Sequence, residues 1–303
     1  MTHMKLLRKW VSVATQPSGL LGTFIGTCLL NTDLDVIEAL WNSFRDRYAI
    51  LKICTTDTEQ AFHESRLSRH IAAAKPGHLG LKYIRTVKDS FEIQGPKGPH
   101  MCLVYEPMRE PLWMLQRRMS DRIYSFGLLG YTVKFLLIGL SYLHNECGVI
   151  HTGGFSLLCS TTLTLSPSDL KRENVLVGLE KSLSLDDIVG DEIKSPSPRK
   201  ILPDRTIYLS RNDFGHPKSM PGRPKISDFD NAVQVTSSQK TFSHPIQPNC
   251  YRAPEVILGA NWSYPVDIWN LGVMVHIFSL LYFLILNDLI NQALGSLGRE
   301  SSI

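Results

Sequence analysis

Three polar side chains at short spacing carry the strongest chemical signal in this chain. Asp169, Lys171 and Asn174 place a carboxylate, an ammonium group and an amide within six residues. Groups of these kinds catalyse by orienting reactants and by stabilising charge that develops during the reaction. Asp228 supplies a second carboxylate within the strand-like segment 225–229. The first pattern alone is a weak signal, but the two together indicate a catalytic site.

A second short motif, at residues 149–152, lies upstream of Asp169 and is separated from it by residues 153–168. Residues 149–152 joined to residues 169–174 read VIHTDLKREN. This string resembles the catalytic loop of eukaryotic protein kinases. Thr152 stands where most kinases carry arginine, a variant associated with the SR-protein kinases. The segment KISDF at 225–229 likewise resembles the strand and D-F-G motif of the kinase family.

The resemblance implies a role for each of these polar residues. Asp169 is expected to accept the proton of the substrate hydroxyl, and Lys171 to neutralise charge on the transferring phosphoryl group. Asn174 and Asp228 are expected to bind Mg²⁺. Asp230 replaces the glycine of the D-F-G motif, whose backbone freedom a side chain restricts, while the metal ligand itself is retained.

A lysine upstream is expected to hold the nucleotide. The segment AILK at 49–52 resembles the V-A-I-K strand of kinases, in which the lysine, here Lys52, holds the α- and β-phosphates of ATP. A carboxylate on a neighbouring helix must fix that lysine. Glu64 is the candidate, because Leu67 and Ile71 stand four residues apart and predict a packed helix around it.

A second apolar segment resembles the part of kinases that recognises adenine. Residues 101–108, MCLVYEPM, read as a buried strand that runs into a turn. In kinases the corresponding hinge binds adenine through backbone groups, so Glu106 and Met108 are expected to contact ATP by their position rather than by their side chains. Tyr105 would then be the gatekeeper.

The kinase pattern continues after Asp228. Residues 251–255 resemble the A-P-E element, in which the glutamate, here Glu255, pairs with an arginine farther along the chain. Asp267 stands where kinases anchor the backbone of the catalytic loop. The stretch between Asn174 and Asp228 is longer than in most kinases, and together with Thr152 it resembles the SR-protein-kinase-like branch of filamentous fungi.

These motifs predict an α+β fold with the two lobes of a protein kinase, incomplete at both ends. A small β-rich N-lobe is expected at 33–108 and a larger helical C-lobe at 109–276, with insertions at 153–168 and 180–222. Residues 1–32 are expected to be a targeting segment or a wrongly assigned start, and residues 277–303 a divergent tail. A stripe of apolar residues predicts a scaffold helix before the catalytic loop: Val133, Leu136, Leu137, Leu140 and Leu143.

Three features depart from a working kinase. No glycine occurs from residue 27 to residue 51, where kinases carry the glycine-rich loop that covers the ATP phosphates. Sixteen residues, 153–168, separate Thr152 from Asp169, and they are either a retained intron or a tolerated loop insertion. After Val275 the family pattern ends. Residues 268–287 lack charged side chains, which suits the central helix of a kinase better than a membrane span.

The resemblance implies ATP- and Mg²⁺-dependent phosphorylation of serine or threonine in proteins. A preference for Arg/Ser-rich protein substrates is implied by the SR-protein-kinase resemblance alone. For this exact polypeptide, the missing glycine loop and the interrupted catalytic loop predict little or no activity. Two alternatives stay open: a pseudokinase or scaffold that keeps the fold and binds a partner or nucleotide, and a non-functional fragment.

Composition restricts the partners and the compartment. The net charge of +4 over 303 residues is too small to indicate nucleic-acid binding. The six cysteines lack C-x-x-C pairs and predict neither a zinc site nor a disulfide framework. A reducing compartment, the cytoplasm or the nucleus, is therefore expected, and mitochondrial or secretory targeting by residues 1–32 is less favoured.

Overall fold

A computed structural model describes most of the chain between residues 36 and 276. The described ranges are 36–43, 47–54, 58–95, 98–118, 126–152, 174–181, 183–195, 198–201, 206–208, 214–215, 217 and 222–276. The predictions for Asp169, Lys171, the segment 153–168 and the two chain ends therefore lie outside the described residues.

The N-terminal part is an antiparallel sheet covered by a helix. Its strands are β1 (Val36–Ser43), β2 (Arg47–Cys54), β3 (Asp89–Gly95) and β4 (Gly98–Tyr105), in the order β1-β2-β4-β3. Strand β2 lies beside β4 with Lys52 opposite Leu103. Helix α1 (Thr58–Ala74) follows, and Leu67 and Ile71 are buried as their spacing predicted. This arrangement sets Lys52 between the hinge strand and the helix that carries Glu64.

Helices dominate after the hinge. They are α2 (Leu112–Arg118), α3 (Phe126–Tyr142), α4 (Leu185–Lys194) and α5 (Pro254–Ile257), and residues 265–276 are also helical. Helix α3 continues into a π-helical turn (Leu143–Cys147). Leu136, Leu140 and Leu143 are buried, but Leu137 is 43% exposed, so the predicted apolar stripe is one residue narrower than expected.

The stretch 127–147 is the one helix among the described residues that is long and apolar enough to cross a membrane. Its inward face packs instead on a short 3-10 helix (Leu79–Tyr83) and on strand β9 (Pro224–Ile226). Buried Leu136, Leu140 and Tyr142 belong to the main hydrophobic core. The helix is therefore the core scaffold that the sequence predicted.

Short strand pairs hold the segments that bear the candidate catalytic residues. Strand β5 (Val149–Ile150) pairs with β10 (Val233–Gln234), and β6 (Val175–Val177) pairs with β9. A further hairpin, β7 (Arg199–Ile201) with β8 (Thr206–Tyr208), lies between β6 and β9 together with α4. A sheet followed by a mainly helical part confirms the predicted α+β class.

Candidate active site

Lys52, Glu64 and Asp228 meet although they lie far apart in the sequence. Strand β2 presents Lys52, helix α1 presents Glu64, and Asp228 follows β9. Lys52 Nζ lies 2.9 Å from Oε2 of Glu64 and 3.2 Å from Oδ1 of Asp228. The side chains of Lys52 and Glu64 are only 12% and 3% exposed. Charges with so little access to water need partners of opposite sign, and these three residues supply them to one another.

The two carboxylates keep Lys52 in its charged form. Burial by itself lowers the pKa of Lys52, but Glu64 and Asp228 outweigh burial and hold that pKa well above 10.5. The ammonium group is thus fixed in position and protonated at physiological pH. Such a group can neutralise the oxygens of a bound phosphate.

Tyr105 holds Glu64 from the other side. Its hydroxyl donates to Oε1 of Glu64 at 2.5 Å, so both carboxylate oxygens of Glu64 are engaged. Burial and then the Glu64 charge raise the pKa of Tyr105 well above its ordinary value, which keeps the phenol protonated as a donor. The guanidinium of Arg85 lies 4.4 Å from the centre of the Tyr105 ring. The predicted gatekeeper therefore positions the carboxylate that positions the lysine.

Asn174 and Asp228 are brought together through Ser227. The amide nitrogen of Ser227 donates to the carbonyl oxygen of Asn174 at 2.8 Å, and its hydroxyl donates to the same oxygen at 3.1 Å. Asp228, the next residue, has a φ of +68°, a left-handed conformation uncommon outside glycine. Backbone outliers of this kind cluster at functional sites.

The side chains of Asn174 and Asp228 carry oxygen atoms that suit a divalent metal ion. An amide oxygen and a carboxylate oxygen are the hard ligands that Mg²⁺-like cations take. Asn174 is only 8% exposed, and its Nδ2 atom is buried without a hydrogen-bond partner. No group of three or more His, Cys, Asp or Glu side chains suited to a metal occurs within the described residues. Asn174 and Asp228 carry oxygen atoms of the kind that such an ion takes, and their binding of Mg²⁺ stays a prediction.

Asp267 fixes the start of the catalytic loop. Its Oδ2 accepts the amide N–H of His151 at 2.8 Å, and its Oδ1 accepts that of Thr152 at 2.9 Å. Nε2 of His144 also lies 2.8 Å from Oδ2. Asp267 is 4% exposed, so these partners replace water around a buried carboxylate.

His151 and Thr152 also join the loop to the segment around Asp228. Nε2 of His151 lies 2.9 Å from the carbonyl oxygen of Ser227, and the hydroxyl of Thr152 donates to the carbonyl oxygen of Asn231 at 2.9 Å. Thr152 has a φ of +63°, which is rare for a β-branched residue. The threonine that replaces the usual arginine thus serves as a short link to the residues beyond Asp228.

Asp230 links the same segment to helix α1. Its Oδ2 accepts from Nε2 of Gln60 at 3.3 Å, and its Oδ1 accepts from Nδ2 of Asn231 at 2.7 Å. Asp230 is not among the described non-glycine residues with positive φ, so the aspartate fits this backbone without the freedom of glycine. Nothing in the sequence near Gln60 indicates this contact, because its partner is 170 residues away.

The hinge residues lie between β4 and α2. The carboxylate of Glu106 pairs with Nζ of Lys225 in β9, and its carbonyl oxygen accepts from Nη2 of Arg85 at 3.4 Å. Met108 is 7% exposed. The sequence pattern indicated Glu106 for its backbone alone and gave no sign of this ion pair. Contact of these backbone groups with adenine stays a prediction.

Glu255 lies in α5, apart from the cluster around Lys52. It is half-buried, and its carbonyl oxygen accepts from the amide of Ala260 at 2.8 Å. Its carboxylate forms no ion pair within the part of the chain that the structure describes. The predicted arginine partner of Glu255 therefore stays a prediction.

The sheet with its covering helix, the Lys52–Glu64–Asp228 cluster and the anchored loop together define a protein kinase domain. The family model of the protein kinase domain matches residues 35–288, so the chain belongs to the protein kinase family. Members of this family use ATP with a divalent metal ion and act on protein substrates.

Several fungal and protist kinases are similar in sequence. A serine/threonine protein kinase of Aspergillus fumigatus is 34% identical over 231 residues, which is 76% of this chain and 50% of that kinase. Protein kinase dsk1 of Schizosaccharomyces pombe is 31% identical over 66% of this chain and 32% of its own length. Serine/threonine-protein kinase SRPK of Physarum polycephalum is 30% identical over 75% of this chain and 52% of its own length. The chain thus spans about half the length of these relatives or less. Their similarity confirms the predicted SR-kinase-like branch.

Proposed function

We propose that this protein is a serine/threonine protein kinase whose site transfers the γ-phosphoryl group of ATP to protein hydroxyl groups. The observation that carries the proposal is the closed arrangement of Lys52 with Glu64 and Asp228, at 2.9 and 3.2 Å. Protein kinases require a lysine–glutamate ion pair of this kind, together with an aspartate that binds Mg²⁺, and Asp228 lies beside the pair.

The chain supplies each group that the reaction needs. Lys52 would hold the α- and β-phosphates, and Asn174 and Asp228 would hold Mg²⁺. The bound ion would supply positive charge at the phosphate oxygens. Asp169 would orient the substrate hydroxyl and accept its proton, and Lys171 would offset the negative charge of the phosphoryl group.

Arg/Ser-rich protein segments are the substrates that we propose, with the cytoplasm or nucleus as the compartment. The similarity to the Physarum kinase named SRPK and the threonine at position 152 support this substrate class. Acidic side chains recognise arginine through paired hydrogen bonds, so a substrate of this kind would be bound by carboxylates.

A nucleotide-binding pseudokinase is the second candidate, and two observations favour it. The segment 27–51 contains no glycine to cover the phosphates, and residues 153–168 separate Thr152 from Asp169. A base displaced from its loop loses the alignment on which transfer depends. Such a protein would retain the Lys52 cluster and bind ATP without transferring phosphate.

Phosphotransfer to an Arg/Ser-rich peptide separates these candidates. The assay compares the intact chain, a variant that lacks residues 153–168, and that variant with Asp169→Ala. We expect the shortened variant to be the fastest, and Asp169→Ala to lower its rate by about 100-fold or more, the contribution typical of a general base. A shortened variant that binds ATP without phosphotransfer would favour the pseudokinase. A rate unchanged by Asp169→Ala would exclude Asp169 as the base.

A further inference from the structure

A buried arginine just after the hinge contacts residues from both ends of the long insertion. Nη1 of Arg109 lies 3.0 Å from Oε1 of Glu180, and its Nη2 donates to the carbonyl oxygen of Gly215 at 2.6 Å. Its Nε lies 3.3 Å from Oε2 of Glu110. The side chains of Arg109, Glu110 and Glu180 are 0%, 0% and 1% exposed. This cluster lies outside the site around Lys52.

The charges of the cluster balance. Nε of Arg118 in α2 lies 3.1 Å from Oε1 of Glu110, so two arginines face two glutamates. Buried charges are tolerated when each has a partner of opposite sign. Glu180 is held through Oε1 alone, because its Oε2 is buried without a hydrogen-bond partner among the described residues. The position of each side chain in the cluster therefore depends on the others.

The main chain of Arg109 is joined to the strand that follows the metal ligand. Its amide nitrogen donates to the carbonyl oxygen of Val177 at 2.7 Å, and Pro111 bridges to Leu176 in the same strand. Strand β6 begins one residue after Asn174. Arg109 also follows Met108 directly. Thus one residue connects the hinge, the metal-ligand strand and, through its side chain, the insertion.

The ends of the insertion 180–222 are held together. The amide of Gly178 donates to the carbonyl oxygen of Arg223, and the amide of Gly222 donates to that of Gly178, each at 3.0 Å. A Cβ atom on Gly222 would lie 2.7 Å from the backbone of Gly178, so only glycine fits there. Glu180 near the start of the insertion and Gly215 near its end therefore reach Arg109 from one closed loop.

From this geometry we propose that Arg109 is a positioning residue that couples the insertion 180–222 to the adenine-binding hinge. Docking of the insertion sets the position of Arg109 and hence the hinge backbone at Met108. The nucleotide affinity of the hinge then depends on an intact contact between Arg109 and Glu180. Because coupling between two sites is reciprocal, bound nucleotide stabilises the insertion in return. The nucleotide part of this proposal rests on the proposed function.

Glu180→Gln tests the coupling, because it removes the charge while it keeps the volume of the side chain. Asp191→Asn, at an exposed position of α4 in the same insertion, is the matched control. Amide hydrogen exchange is measured without nucleotide over residues 185–195, 104–109 and, as a reference, helix α3. ATP affinity is measured by titration in the presence of Mg²⁺.

We expect Glu180→Gln to raise exchange in both 185–195 and 104–109 by about fivefold, to leave α3 unchanged and to weaken ATP binding by about tenfold. Arg109→Met should have at least the same effect, and the double variant should be no worse than Arg109→Met. Faster exchange in 185–195 alone, with hinge exchange and ATP affinity as in Asp191→Asn, would overturn the coupling. If the parent chain binds no ATP, the proposed function fails, and the hinge exchange without nucleotide still decides this inference.

Discussion

At the scale of single residues, the site is built from charges that fix one another. Lys52 contacts two carboxylates, and Glu64 is held by both Lys52 and Tyr105. The pKa of Lys52 is higher in the folded state than its ordinary value of 10.5. Its contribution to stability is therefore fully present below pH 10.5 and is lost only as the pH rises through the folded-state pKa. Lys52 therefore keeps its charge at physiological pH.

The buried cysteines near this cluster are expected to resist alkylation. Burial raises the pKa of Cys54 to about 11 and that of Cys102 to about 12, while Cys250 is exposed. At pH 8 a thiol with a pKa of 11 is about one part in a thousand thiolate, which is the reactive form. Iodoacetamide at pH 8 should label Cys250 and spare Cys54 and Cys102, as mapped by mass spectrometry. Equal labelling of all three would contradict the buried sheet.

Asp230 is expected to restrain helix α1 through Gln60. Asp230→Gly restores the usual glycine but removes the acceptor for Gln60 Nε2. Amide exchange in residues 59–64 should rise by about threefold, because the first turns of the helix lose this contact. Asp230→Asn keeps an oxygen acceptor and should exchange like the parent chain. No difference between Asp230→Gly and Asp230→Asn would show that the contact does not restrain the helix.

At the scale of elements, sequence patterns predicted the parts whose signals are local. The four-residue spacing of Leu67 and Ile71 predicted α1, and the apolar stripe predicted α3. The bond from Gln60 to Asp230 spans 170 positions and the Arg109–Glu180 pair spans 71. No periodicity encodes such contacts, because they depend on how separate elements pack. The contact between Lys52 and Glu64 was nevertheless predicted, because the order of the motifs along the chain resembles that of the kinase family.

Packing between α3 and the 3-10 helix is expected to depend on Gly80. A Cβ atom at position 80 would clash with Tyr142 and would lie 2.7 Å from the carbonyl oxygen of Ile138. Gly80→Ala should lower the free energy of unfolding by about 1–3 kcal/mol, the usual cost of overpacking. Gly77→Ala is the control, since nothing lies within 4 Å of its Cβ position. Urea unfolding of both variants checks the prediction, and equal stability would contradict the close packing at Gly80.

At the scale of the whole molecule, two separate parts of the chain contribute residues to the proposed nucleotide site. The sheet and α1 supply Lys52 and Glu64, while the helical part supplies Asn174, Asp228 and the Asp267 anchor. The sequence motifs identified all five residues. In the structure, Lys52 contacts Glu64 and Asp228, and Ser227 joins Asp228 to Asn174. The position of Asp169 relative to this site depends on residues 153–168, which the motifs show only as an interruption.

Thermal unfolding with and without Mg²⁺ and ATP tests most directly whether Lys52 and Asp228 form a nucleotide site. A ligand at 100 times its Kd stabilises the folded state by about 2.7 kcal/mol. We therefore expect the two ligands together to raise the Tm of the parent chain and of Glu92→Gln, a control at an exposed position of β3. Lys52→Met and Asp228→Asn should abolish the rise. A parent chain whose Tm does not change, or an equal rise in Asp228→Asn, would contradict the assignment of this site.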